Sequence, residues 1–197
     1  MIGAVIPIKP FSEAKRRLAG EIDDVRRRAL ATMSAAHVVA ICHAAGLRIT
    51  VVTADDEVAA WSGDRGCAVL EDPGDGLSQA VTAAVAATEG PWLVVHADLP
   101  LLVEREVRSA MAGLGDGRAV LAPSRDGGTN MLGVAEPIAF AYGRSSFTRH
   151  LAATAHLERT VIVSPGTVVD IDGPDDLRRA AALPGGAWLQ PFLTSGP

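Results

Sequence analysis

Asp98 closes an apolar run, Trp92-Leu93-Val94-Val95-His96-Ala97, that is rich in β-branched residues. Such a run predicts a strand buried on both faces. A carboxylate at its end sits where the strand emerges, and in open parallel sheets ligands bind outside those carboxyl ends. An acid so close to a low-dielectric core needs a cation. Pro100 cannot continue a ladder, so the chain turns away and leaves Asp98 facing the crevice. Asp98 lies too far upstream of the helix expected from Glu104 to be its cap.

Four other constellations could join it. Lys9 ends the first apolar run, and Lys15, Arg16 and Arg17 follow. Cations on a loop and a helix start are a means of holding polyphosphate, although a Lys-Arg-Arg run alone reads as a solvated face. No P-loop pattern is present. Ser124-Arg125-Asp126-Gly127-Gly128-Thr129-Asn130 offers backbone N–H groups and side-chain donors. Alone, it reads better as a hairpin turn. In Tyr142-Gly143-Arg144-Ser145-Ser146, Ser145 or Ser146 can cap a helix or help to hold an anion at its start. Asp170 and Asp172 alternate at a strand end and so share one side of the chain. With Asp98 they could give oxygens to Mg²⁺, which favours carboxylates and substrate phosphates. Asp175 reads as a cap of the last helix.

These residues need a scaffold that brings strand ends together. Ile2 to Ile8 predicts a strand, with Ser12 capping a basic helical segment. Asp23 and Asp24 open a helix to about Gly46, with Val25, Leu30, Met33, Val38 and Ile41 on its apolar side. Strands follow at 48–53 and 67–70, flanking a short helix from Asp55 to about Gly63. An alanine-rich helix spans 77–88, and the fourth strand runs to Asp98. A helix at 104–113, a strand at 118–122, a strand at 130–135, a helix at 145–155, a strand at 161–163 and a helix at 175–182 complete the pattern. Alternating strands and helices predict a single three-layer α/β/α domain with a mixed, mainly parallel sheet over residues 1–183. Residues 184–197 read as a weakly ordered tail.

Composition narrows the class. A chain of 197 residues with 48% apolar residues can build one sizeable core. A formal net charge of -5 disfavours a nucleic-acid or anionic-membrane surface. Cys42 and Cys67 have no metal-ligand spacing and read as buried thiols. No signal peptide and no transmembrane-length run is visible, so a cytoplasmic protein is expected.

Ile6-Pro7-Ile8-Lys9-Pro10 with Ser12-Glu13-Ala14-Lys15 and Arg17-Leu18, Asp98-Leu99-Pro100-Leu101-Leu102, Gly128-Thr129-Asn130, Tyr142-Gly143 with Ser146-Phe147 and His150-Leu151, and Asp170-Ile171-Asp172 with Pro174, Asp176 and Leu177 resemble the guanylyltransferases of coenzyme F420 biosynthesis. The resemblance runs from Met1 to about Leu183. It implies a nucleotide-diphospho-sugar transferase-like fold. It also implies transfer of GMP from GTP to phosphoenolpyruvate, 2-phospholactate or 3-phosphoglycerate. Carried over residue by residue, it assigns Lys9, Lys15, Arg17 and Asp98 to catalysis. Pro7, Lys9, Lys15, Ser78 and Asp98 fall to the nucleotide, Thr129, Gly143 and Ser146 to the acid, and Asp98, Asp170 and Asp172 to Mg²⁺. Two positions depart from the family pattern: Ala97 stands where Gly is usual, and Ser78, near the nucleobase, where Asn is usual. The other classes are a molybdopterin or sugar-phosphate nucleotidyltransferase, disfavoured because Ile8-Lys9-Pro10-Phe11 has no glycines, and a non-enzymatic nucleotide-binding module.

Overall fold

A computed structural model describes residues 2–193. Seven strands form one sheet: β1 (Gly3–Pro7), β2 (Arg48–Thr53), β3 (Ala68–Glu71), β4 (Trp92–Val95), β5 (Arg118–Pro123), β6 (Thr129–Val134) and β7 (Glu158–Val161). Their order is β3-β2-β1-β4-β6-β5-β7. Only β6 runs against its neighbours; β1 is parallel to both β2 and β4. The sheet is thus mixed and mainly parallel, as the alternation predicts.

The strands divide their side chains between two cores. Ile6, Leu93, Val95, Val120 and Met131 enter one, with α1 (Asp24–Ala44), α2 (Asp56–Gly63) and α4 (Glu104–Ala112). Val5, Trp92, Val94, Leu121 and Leu132 enter the other, with α3 (Leu77–Ala86) and α5 (Ser146–Ala153). This is the period-2 split of a sheet covered on both faces.

From β1 the chain proceeds outward to β2 and β3 on one side and returns to place β4 on the other. The carboxyl ends of β1 and β4 therefore flank the reversal in strand order, where open α/β sheets bind ligands.

Several local expectations need correction. β4 stops at Val95, not at Asp98, because Asp98 lies in the turn beyond it; only the His96 N–H continues the ladder, to Asn130 O at 3.0 Å. The segment around Lys15 is a series of turns with a single 3-10 turn at Arg16–Leu18, so Ser12 caps no helix. In α1, Val25 and Met33 are exposed. Its buried stripe is Arg27, Leu30, Ala31, Ser34, Ala35, Val38, Val39 and Cys42. The strand expected at 161–163 is β7 at 158–161, an edge strand with four exposed residues. After it come a one-turn helix, α6 (Pro165–Val168), absent from the sequence reading, and α7 (Pro174–Ala182).

The expected tail is largely structured. Ala187–Phe192 forms a 3-10 helix, and Leu189 and Phe192 pack with Leu30, Leu101, Leu177 and Ala180. Trp188 Nε1 donates to Pro100 O at 3.3 Å, just beyond Asp98. Residues 194–197 of that expectation lie outside the described ones. Leu189 is fully buried. Leu189→Ala should therefore cost about 2–5 kcal/mol in urea denaturation. A loss under about 0.5 kcal/mol would mean that the segment does not dock.

Candidate functional site

Lys15 and Asp98 meet at the reversal in strand order. Lys15 Nζ donates to Asp98 Oδ2 at 2.9 Å and to Ile171 O at 2.5 Å. The cation required by the strand-end acid comes from the loop after β1. Burial alone would raise the Asp98 pKa. The Lys15 ammonium and His96 more than offset it, and the carboxyl titrates below its ordinary range. The Lys15 side chain is 7% exposed and its backbone is left-handed, at φ 56. For a non-glycine residue that costs on the order of 1 kcal/mol and requires outside support.

Arg27 gives that support. Its guanidinium donates to Ser12 O at 3.0 Å and to Ala14 O, and pairs with Asp24 at 2.9 Å. A charged side chain on the buried stripe of α1 thus ties down the loop that presents Lys15. No sequence periodicity marks Arg27, because its partners are carbonyls of a distant turn.

Beside this pair lies a crevice of about 210 Å³ lined by Arg17, Arg125, Asp126, Asp170, Asp172 and Asp176. Arg17 Nη1 reaches Asp172 at 3.3 Å, and Arg125 reaches Asp176 at 2.7 Å. The Arg125–Asp176 pair joins the β5–β6 turn to α7, residues too far apart in sequence for any motif to signal. Lys9 is exposed beyond β1, near enough to His96 to affect its charge. Pro7 ends β1 opposite Val52.

Asp170 has no cationic partner among the described residues. Burial, then the carboxylates of Asp98, Asp172 and Asp126, raise its pKa to about 7; its own backbone N–H lowers it only partly. In the folded chain the group keeps its proton to about pH 7, while in the unfolded chain it releases it near 3.8. Stability must then fall as pH rises between these values. Asp170→Asn should leave the melting temperature unchanged at pH 4 and increase stability by roughly 1–3 kcal/mol at pH 8. Equal effects at both pH values would remove the titration argument.

This electrostatic strain bears on metal binding. Hard carboxylate oxygens suit Mg²⁺, which needs only one or two of them with substrate phosphates. Among the described residues no three metal-ligating side chains converge into a closed site. Asp98 and Asp170 interact electrostatically, whereas Asp172 is turned onto Arg17. The donor set fits a metal completed by substrate, not an all-protein cage.

The glycine-bearing turn at 124–128 satisfies itself. Ser124 Oγ and Gly128 N both donate to Asp126 Oδ1, so its own carboxylate occupies the place an anion would take. That supports the plain hairpin reading of the turn, while Thr129 and Asn130 belong to β6. Asn130 Nδ2 donates to Thr167 O at 3.1 Å.

Thr129 and Ser146 are buried and bonded, with Ser146 Oγ donating to Thr129 Oγ1 at 3.2 Å. Ser145 precedes α5 in a left-handed conformation at φ 57 and caps no N–H with its side chain. Lys15 and Ser145 are the two non-glycine residues with positive φ among those described. Lys15 is bonded to Asp98 at the reversal in strand order and Ser145 stands at the start of α5; strained backbone of this kind concentrates at functional sites. Gly143, at φ 108, makes the turn before α5. Ser78, in the first turn of α3, accepts from Tyr142 N at 2.9 Å and fixes that turn.

His96 packs beside the site. Its ring lies 5.4 Å from that of Tyr142, and burial lowers its pKa, so it is neutral at pH 7. His150, to which the sequence alone assigns no role, is buried against Thr129. Its position four residues after Ser146, on the same helical face, was the available signal.

A family model described as "Guanylyl transferase CofC like" matches residues 2–186. A phosphoenolpyruvate guanylyltransferase from Roseiflexus sp. is 35% identical over 198 residues, covering 96% of this chain and 89% of its own. A 2-phospho-L-lactate guanylyltransferase from Methanopyrus kandleri is 34% identical over 185 residues, covering 91% and 90%. For the fold alone, a chain from Desulfovibrio desulfuricans G20, described among the nucleotide-diphospho-sugar transferases, superposes with a TM-score of 0.77 at 13% identity, covering 96% and 94%.

Proposed function

The chain belongs to the CofC-like guanylyl transferases, and from that premise we propose that it moves GMP from GTP to a small phosphorylated carboxylic acid in coenzyme F420 biosynthesis. Phosphoenolpyruvate is the favoured acceptor and 2-phospholactate the next. A phosphate oxygen of the acid attacks the α-phosphorus of GTP, the bond to the β-phosphate oxygen breaks, and pyrophosphate leaves. The attacking phosphate is already anionic at pH 7, so no general base is required. A neutral, half-buried His96 is consistent with that.

In this reading Lys9, Lys15 and Arg17 hold the β- and γ-phosphates, with Pro7 and Ser78 against the nucleotide. Thr129, Gly143 and Ser146 hold the acid's carboxylate and phosphate. Mg²⁺ on Asp98, Asp170 and Asp172 would neutralise charge on the reacting phosphates. Catalysis is then positioning and electrostatics. The observation that carries the reading is the Lys15–Asp98 pair at the reversal in strand order.

The test is pyrophosphate release with GTP, Mg²⁺ and each of the three acids, with ATP and CTP as controls for the base beside Ser78. Phosphoenolpyruvate and 2-phospholactate differ only in one C=C bond, so discrimination of roughly 1–3 kcal/mol is the most to expect. A tenfold preference for either other acid overturns the acceptor. No release with any acid overturns the reaction.

A further inference from the structure

We propose that His150 is a positioning residue that fixes the Thr129 hydroxyl as a hydrogen-bond donor for an oxygen of the acid. This rests on the acceptor site described above and assigns that site one more residue.

The Ala141 amide fixes where the proton of the His150 ring sits. The backbone N–H of Ala141 lies 3.0 Å from His150 Nε2, and a backbone amide can only donate. Nε2 therefore presents its lone pair. A neutral ring with Nε2 bare carries its proton on Nδ1. Nδ1 lies 2.9 Å from Thr129 Oγ1 and so donates to it. The ring is neutral at pH 7, because burial and, less strongly, the charges of Arg149 and His96 lower its pKa to about 4.

Thr129 Oγ1 also accepts from Ser146 Oγ at 3.2 Å. A hydroxyl has two acceptor positions and one hydrogen. Both acceptor positions are filled, and the hydrogen remains. Thr129 opens β6 beside the carboxyl end of β4. An ionised carboxylate or phosphate oxygen accepts only. With the opposite tautomer, Thr129 would donate to Nδ1 and turn a lone pair toward the anion. The ring is also held against rotation, edge-on to Tyr142 at 4.8 Å and to Phe140 at 6.5 Å.

Two substitutions separate the ring's two functions. In His150→Gln the side-chain amide reaches the Nε2 position; its oxygen can accept from Ala141 but nothing donates to Thr129. In His150→Asn the amide reaches the Nδ1 position and can donate to Thr129. His150→Gln should raise KM for phosphoenolpyruvate about tenfold, with KM for GTP within about twofold. His150→Asn should return the acid's KM to within about threefold of wild type. A ¹⁵N spectrum of the wild-type imidazole should show the Nδ1–H tautomer, a readout independent of turnover and of how the variants fold. An Nε2–H ring, equal rises in both KM values, or identical Gln and Asn profiles would overturn the proposal. Wild-type protein that releases no pyrophosphate with any acid would instead overturn the functional reading, and the spectrum would still report the tautomer.

Discussion

Asp98→Asn should lower kcat at least roughly a thousandfold in saturating Mg²⁺ and GTP, measured as pyrophosphate release. The substitution keeps shape and removes one charge. Its amide oxygen can still accept from Lys15 Nζ, so the loops after β1 and β4 remain joined. The fold should lose about 1–3 kcal/mol, because the Lys15 side chain is 7% exposed and loses its counter-charge. What disappears is a hard, ionised oxygen that the proposed mechanism assigns to the metal on the reacting phosphates. Activity close to wild type would remove Asp98 from the centre of the mechanism.

Lys15→Ala should act in two ways. It should lower kcat/KM for GTP by roughly a hundredfold or more, affecting both KM and kcat, because a point charge on the leaving pyrophosphate acts in ground and transition states. It should also destabilise the chain by about 1–3 kcal/mol, since Asp98 loses its cation. Alanine retains a Cβ, so the left-handed backbone at this position stays as costly as before. If only the acid's KM changes, the basic loop faces the acceptor and the two ends of the site are reversed.

Most of the scaffold was legible because it follows from burial. β2 and α2 begin and end where polar caps and apolar runs put them; Asp55 Oδ1 accepts from Val58 N at 2.9 Å, as a cap should. Legibility failed where burial does not govern. Val161-Ile162-Val163 looks like a core strand, but the edge strand lies earlier, at Glu158–Val161, where one side needs no apolar cover. Val25 and Met33 fit a helical period, but the buried stripe of α1 is shifted because Arg27 must reach the Ser12 and Ala14 carbonyls. Trp188 docks through its indole N–H on Pro100 O and through packing on the cluster that holds Leu189 and Phe192, contacts no local pattern encodes.

The site shows the same division. Asp98, Lys15, Asp170 and Asp172 could be named from strand ends and charge. The pairing could not: the site bonds Lys15 to Asp98 and Arg17 to Asp172, and leaves Asp170 without a cation among the described residues. His150 was visible as a residue but not as a proton position, which only the Ala141 amide fixes.

Those two ion pairs join two of the three proposed phosphate-binding cations, Lys15 and Arg17, to proposed metal-binding carboxylates. A triphosphate arriving alone must draw Lys15 and Arg17 away and expose two uncompensated acids. A dication arriving alone must do the reverse and strand two bases. Either ligand therefore prepares the place of the other, and the two binding equilibria are coupled with one shared factor. Measured by calorimetry, the gain in GTP affinity brought by Mg²⁺ beyond their association in solution should equal the gain in Mg²⁺ affinity brought by GTP. Arg17→Gln, which breaks the outer pair, should reduce that common factor.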